Sequence, residues 1–325
     1  MRAYLFGKIW QILLTMFFIL AFNFFLFRVM PGNPITLMAR AQGTHLSVAA
    51  QQALAHDLGL DAPIGKQFFI YFKDTVTGRF GQSLFVLPGQ SVLNVFGHFL
   101  IPTLVLVGIS TILSTIFGLL MGIYAGWRRG SVFDLSSMAF NLVLWAMPEF
   151  WLGILLLILL GSIFHLFPVN GYQSVTPVYT GLAHIVDVLN HLFLPCVTLA
   201  LAYLGEYYLV MRASLLDVLG EEYITVAHSK GLRDKIVLWR HAVRNALLPT
   251  VTLVALNFGF VIGGAITVET VYSYPGLGKL TYDAIQSKDF PLLQGMFLFF
   301  SLAVILARFV ADLLYVYLDP RVREA

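Results

Sequence analysis

EEYITVAHSKGLRDKIVLWRHAVRNALLP, residues 221–249, is the one sizeable run without membrane-spanning character in the second half of the chain. It carries Lys230, Arg233, Lys235, Arg240 and Arg244. Short loops of membrane proteins concentrate positive charge on the cytoplasmic side, so the run is expected inside the cell and orients every other segment. Glu221 and Glu222 follow Gly220 and open a short helix ending at Lys230 and Gly231. Acid stands at the positive end of the helix dipole, base at the other, and glycine where a left-handed residue closes the turn. Ala227 and Gly231 lie four apart, with Tyr223 a turn earlier, which predicts a strip of low bulk that another protein could approach. From Asp234 a second helix is expected, amphipathic at the membrane surface, with Ile236, Trp239, Val243 and Leu247 on its apolar side.

The rest of the chain is apolar. Of 325 residues 58% are hydrophobic and 11% charged, against about 25% charged in soluble domains. Six membrane spans of about 20 residues are expected, over residues 9–29, 100–126, 133–164, 192–216, 248–271 and 292–318. With six spans both termini lie in the cytoplasm, and Arg2, Lys8, Arg128, Arg129, Arg321 and Arg323 fall on that side. The first span is read as an uncleaved anchor, since its apolar run exceeds a signal peptide's and Arg28-Val29-Met30-Pro31 offers no small-residue cleavage site. The expected organisation is a first anchor (1–30), an extracytoplasmic segment (31–98) and a transmembrane core (99–325) that includes a cytoplasmic loop (217–247). In the outer segment Ser47 is placed to cap a helix running to Asp57, and Phe68, Phe69, Tyr71, Phe72 and Phe80 are expected to pack as an outer cap.

Net charge is +3 with most basic residues in loops, which gives no nucleic-acid surface. No G-x-x-x-x-G-K-[ST] phosphate loop occurs, the eight histidines show no close metal-ligand pairing, and Cys196 stands alone. No catalytic residue, metal site or cofactor is assigned to the chain. Gly118, Gly122 and Gly126, four apart, are expected to let helix backbones approach. Pro148 is expected to kink the third span. Glu149 beside it, and Glu206 among Tyr203, Tyr207 and Tyr208, fall near mid-span. A charge at that depth costs about 2.5–3.5 kcal/mol, so both are candidates to line a polar pathway, or else bond between helices. Arg308 and Asp312 are expected to pair along the last span.

Tyr223, Ala227, Lys230 and Gly231, followed by Arg240-His241-Ala242, Arg244-Asn245-Ala246-Leu247 and Leu248-Pro249, resemble the permease subunits of binding-protein-dependent ATP-binding-cassette (ABC) importers. The likeness is to the dipeptide and oligopeptide branch, most of all its first membrane subunit. Where the wider family has Glu-Ala-Ala, this chain has Thr225, Val226 and Ala227. The resemblance extends to Pro31-Gly32-Asn33-Pro34, where relatives mostly carry aspartate third, and to Leu58-Gly59-Leu60-Asp61 and Gly78-Arg79-Phe80-Gly81. It continues through Phe150-Trp151-Leu152-Gly153, Glu269-Thr270-Val271, Tyr274-Pro275-Gly276-Leu277-Gly278 and Asp319-Pro320-Arg321.

What the resemblance implies is an all-α polytopic permease of the bacterial inner membrane, half of a pathway for short peptides, with glutathione or nickel as alternative cargo. It implies a second permease subunit, two ATPase subunits holding ATP and Mg, and an extracytoplasmic substrate-binding protein as partners. Glu222, Tyr223, Ala227, Lys230 and Gly231 would couple the chain to the ATPases. The reading from another class is a proton-coupled carrier using Glu149 and Glu206, which predicts an internal repeat that the sequence does not display.

Overall fold

A computed structural model describes residues 2–29, 62–261 and 265–318. The Pro31–Pro34 run, the helix expected from Ser47 to Asp57, the Leu58–Asp61 run and the Asp319–Arg321 ending lie outside the described residues. So does the side chain of Asp312, the expected partner of Arg308.

The described chain is helical, with a single isolated bridge between Gln82 and Ser91. In order come α1 (Arg2–Val29), α2 (Ile64–Val76), α3 (Val92–Trp127), α4 (Val132–Ala146) and α5 (Glu149–Leu156, continued by a π-helical turn, Leu157–Ile163). They are followed by α6 (Leu182–Leu219), α7 (Glu222–Ser229) and α8, which is built from Asp234–Ile236, a π-helical turn over Val237–Ala242, and Val243–Val261. Then come α9 (Ile266–Val271), α10 (Leu277–Ser287) and α11 (Phe290–Leu318). Four of these, α1, α3, α6 and α11, are individually long and apolar enough to cross a membrane, and α4 with α5 makes a fifth candidate as a bent pair.

The centre of the bundle is the seam between α3 and α6. A Cβ added to Gly118 would stand 2.7 Å from Tyr207 Cβ, and one at Gly122 would stand 2.8 Å from the Tyr208 carbonyl oxygen. At Gly126 it would meet Leu215 Cδ2 at 3.1 Å. The four-residue glycine repeat therefore does what small residues do in a bilayer, where no hydrophobic effect drives helices together and close van der Waals contact must. Cys196 is buried on this seam, where the Ser110 hydroxyl donates to its carbonyl at 3.2 Å.

Two of the expected spans differ from the sequence reading. The third is a break rather than a kink, since α4 and α5 meet at 103°. The ring of Pro148 disfavours helical geometry at the preceding residue. Met147 is accordingly extended (φ −79°, ψ 131°), and the Pro148 carbonyl starts the next helix by accepting the amides of Trp151 and Leu152. The fifth, expected over residues 248–271, is divided: α8 runs to Val261 and a separate short helix begins at Ile266.

The outer aromatic residues also pack differently from the expected cap. Phe68, Tyr71 and Phe72 of α2 lie against Phe17, Phe24 and Phe25, along the flank of α1. Asn23 locks that contact by donating to Tyr71 Oη at 3.1 Å and to the Gln294 carbonyl at 2.9 Å. Phe80 packs instead on Phe299 of α11, and Phe69 is exposed.

Candidate functional site

The opening stretch folds as its punctuation requires. Glu221 is extended and begins α7, Glu222 lies in its first turn, and the helix ends at Ser229. Gly231 then takes φ +71°, in open space, so backbone conformation rather than crowding calls for glycine. The expected low-bulk strip does not face outward as a whole. Ala227 (5% exposed) and Ile224 (3%) turn into the chain's own core, against Met211, Leu215, Val237 and Ala246. What α7 presents outward is Glu222, Tyr223, Val226 and Lys230, with Val226 51% exposed. Tyr223 is fixed by Asn245, whose Nδ2 donates to its hydroxyl at 2.7 Å, tying α7 to α8.

The face expected for α8 is divided between surface and core. Ile236 and Trp239 are exposed, while Val237, Ala242, Val243 and Ala246 are buried. The π-helical turn at Val237–Ala242 is the reason. It inserts an extra residue into the helical period, so a face counted forward from Ile236 at 3.6 residues per turn rotates out of register with the core. The helix is also not a separate surface element, because it continues into the bundle as Val243–Val261.

The two mid-span carboxylates are brought together. Glu149 opens α5, where Thr267 Oγ1 donates to it at 3.4 Å and the Tyr203 hydroxyl hydrogen-bonds to it. Glu206 lies three residues beyond Tyr203 on α6, and Asn257 of α8 donates from Nδ2 both to Glu206 (3.3 Å) and to Tyr207 Oη (3.1 Å). Both carboxylates are half-buried. Four helices thus contribute to one polar cluster inside an apolar bundle, and it can hold a cation or a hydrogen-bond donor.

Glu269 has a larger role than the sequence reading gave it. It is fully buried; its Oε1 accepts from Thr103 Oγ1 (2.8 Å) and its Oε2 from the amides of Gly278 (2.7 Å) and Lys279 (3.0 Å). The amide of Leu277 in turn donates to Thr103 Oγ1 at 2.7 Å. The carboxylate therefore caps the N-terminus of α10 and joins it to α3. Gly278 must lack a side chain, since a Cβ there would lie 2.6 Å from Ile266 Cα. Buried Tyr274 beside it donates to the Pro102 carbonyl at 3.3 Å, and burial raises its hydroxyl pKa, keeping it a donor. The signal in the sequence was position: Glu269 stands shortly before the turn-forming run Pro275-Gly276-Leu277-Gly278, where the free amides of a new helix need an acceptor.

Two further anchors were not legible beforehand. Asp289, fully buried, accepts on Oδ2 from Ser83 Oγ and the amides of Leu84, Phe85 and Val86, pinning the turn before α3 to the start of α11. Arg212 makes a bidentate pair with Asp134, Nε to Oδ1 at 2.6 Å and Nη2 to Oδ2 at 2.9 Å, joining α6 to α4.

Membrane-length helices packed around a polar cluster define a polytopic α-helical membrane protein. The chain belongs to the family of binding-protein-dependent transport system inner membrane components, which it matches over residues 118–324. The N-terminal membrane-component family of the same systems matches residues 1–90. Relatives include the probable peptide ABC transporter permease protein y4tP of Sinorhizobium fredii, 32% identical over 99% of this chain and 100% of that one. The dipeptide transport system permease protein DppB of Escherichia coli strain K12 is 32% identical, covering 100% and 99% respectively. The glutathione transport system permease protein GsiC of the same strain is 32% identical over 99% of both chains. In fold the chain is similar to the MetNI methionine ABC transporter in inward-facing form, with a TM-score of 0.55 at 14% identity, over 70% of this chain and 97% of that one.

Proposed function

We propose that this chain is one of two permease subunits of an ATP-driven importer, forming half of a path for short peptides delivered by an extracytoplasmic binding protein. The observation that carries the reading is end-to-end similarity to permeases of peptide systems, at 32% identity over at least 99% of the chain. Glutathione is itself a tripeptide, so the GsiC relative falls within the same cargo class. ATP and Mg belong to separate ATPase subunits, and α7 docks on one of them with Glu222, Tyr223, Val226 and Lys230 outward. Ala227 serves that contact from behind by seating α7, and Gly231 by closing it. Both termini and α7 lie on the cytoplasmic side, with residues 31–98 outside and 99–325 as the core.

The test is uptake by proteoliposomes holding the whole transporter. Labelled peptides of two to six residues should enter only with ATP and the loaded binding protein, and entry should survive collapse of a proton gradient. Entry that needs the gradient but not ATP would restore the proton-coupled reading.

Glu149 and Glu206 line the path and receive the peptide's cationic amino group. A hydrogen bond to a charged group contributes about 1.5–3 kcal/mol, so its loss is expected to change transport about tenfold or more. Glu206→Gln should therefore accumulate normally while peptides with a free amino terminus lose that advantage over N-acetylated ones. An unchanged ratio across the panel would assign Glu206 to helix packing alone.

A further inference from the structure

Tyr223 stands on the outward side of α7, yet its hydroxyl is held by α8, where Asn245 Nδ2 donates to it at 2.7 Å. The same nitrogen donates to the His241 carbonyl at 3.3 Å, so both of its protons are engaged. Among the described residues this is the one side-chain hydrogen bond between α7 and α8; their other polar pair, His228 with Asp234 at 3.8 Å, lies at the exposed start of α8. Four residues beyond Asn245 comes Pro249, inside α8 and exposed. A proline has no amide to donate to the carbonyl four residues back, here that of Asn245, and its ring crowds that carbonyl, so α8 bends most readily at this turn. Within the turn Ser214 of α6 donates to the Ala246 carbonyl at 2.9 Å. Beyond it α8 is fastened to α6 again, by Thr250 Oγ1 to Met211 Sδ at 3.8 Å and by Asn257 to Glu206 and Tyr207.

We propose that Asn245 is a positioning residue that carries movement of α7 into the bundle, with α8 bending at Pro249 about the Ser214–Ala246 contact and displacing Asn257 against Glu206. The apolar contacts of Ile224 and Ala227 seat α7 without fixing a direction, whereas a hydrogen bond between two helices is directional. From Pro249 to Asn257 the helix rises about 12 Å, so a bend of about 5° shifts Asn257 by about 1 Å. That is enough to make or break its 3.3 Å bond to Glu206. The inference rests on the reading of α7 as the element docked on an ATPase.

The test is the ratio of peptide imported to ATP hydrolysed, in proteoliposomes holding the whole transporter with its loaded binding protein. Asn245→Ala should keep its ATPases and its melting temperature, because the side chain is exposed, while the ratio falls about two- to tenfold, the worth of one hydrogen bond. Asn245→Asp can accept from the Tyr223 hydroxyl and should keep the wild-type ratio. In a Tyr223→Phe background Asn245→Ala should lower the ratio no further, since the bond is already gone. Pro249→Ala restores the missing amide and should raise the melting temperature while lowering the ratio, an opposition that a purely structural role does not produce. A wild-type ratio in either Asn245→Ala or Pro249→Ala overturns the proposal, as does a further fall in the Tyr223→Phe background or a ratio that falls only in step with the melting temperature. Failure of the underlying reading is distinct, because Val226→Asp would then keep its ATPases whatever Asn245 does.

Discussion

Permease carrying Val226→Asp is expected to reach the membrane in normal amount yet to lose its ATPases on purification and to import at background rate. Val226 is 51% exposed on a short polar helix, so the substitution removes nothing from the chain's own core. If α7 lies in an ATPase groove, the new carboxylate is desolvated there without a partner. Central interface positions lose about 2 kcal/mol or more even on simple truncation, and an unpaired buried charge adds to that. Retention of ATPase through purification should fall about thirtyfold or more.

Two controls separate contact from scaffold. Ala227→Trp overpacks the cluster around Met211 and Leu215, costing about 1–3 kcal/mol, and should lower the amount of permease itself. Gly231→Leu is strained by its positive φ although nothing crowds it, so Gly231→Asn, which tolerates that conformation, should recover most of the loss. Normal import and ATPase retention by Val226→Asp would sink α7 as the coupling element.

The second large effect is expected at the other end of the bundle. Glu269→Ala deletes the acceptor for the Thr103 hydroxyl and the Gly278 amide, both buried, and for the partly buried Lys279 amide at the start of α10. Each buried donor left unpaired costs about 1–3 kcal/mol, so the sum is about 3 kcal/mol or more, among the severe values for single substitutions. Accumulation in the membrane should drop severalfold, and the purified transporter should melt several degrees lower. Glu269→Gln keeps one accepting oxygen and should fall between. Gly278→Ala should resemble Glu269→Ala, because its Cβ would press on the Ile266 backbone. A Glu269→Ala transporter that accumulates and melts like the wild type would remove this carboxylate from the stability of the fold.

Local chemistry made several features readable in advance. The bounds of α7, the left-handed Gly231, an irregularity at Pro148 and the close glycine seam each follow from one residue's backbone or size, which acts the same in any surroundings. Membrane character followed from composition, and family likeness from motif order. Orientation of faces was a different matter. In a bilayer the lipid-facing and protein-facing sides of a helix are both apolar, so hydrophobic periodicity does not tell them apart: exposed Phe117 and Leu120 share α3 with buried Leu106 and Ile123. A period of 3.6 also assumes an unbroken helix, and the π-helical turn at Val237–Ala242 rotated the face inferred from Ile236 and Trp239. Packing alone turned Ala227 inward, set the 103° angle after Met147, and brought Glu149 and Glu206 into the neighbourhood of Tyr203. It also gave Glu269 donors from α3 and α10 that lie 166 residues before it and 9 and 10 after it, a meeting of distant groups that no local spacing encodes.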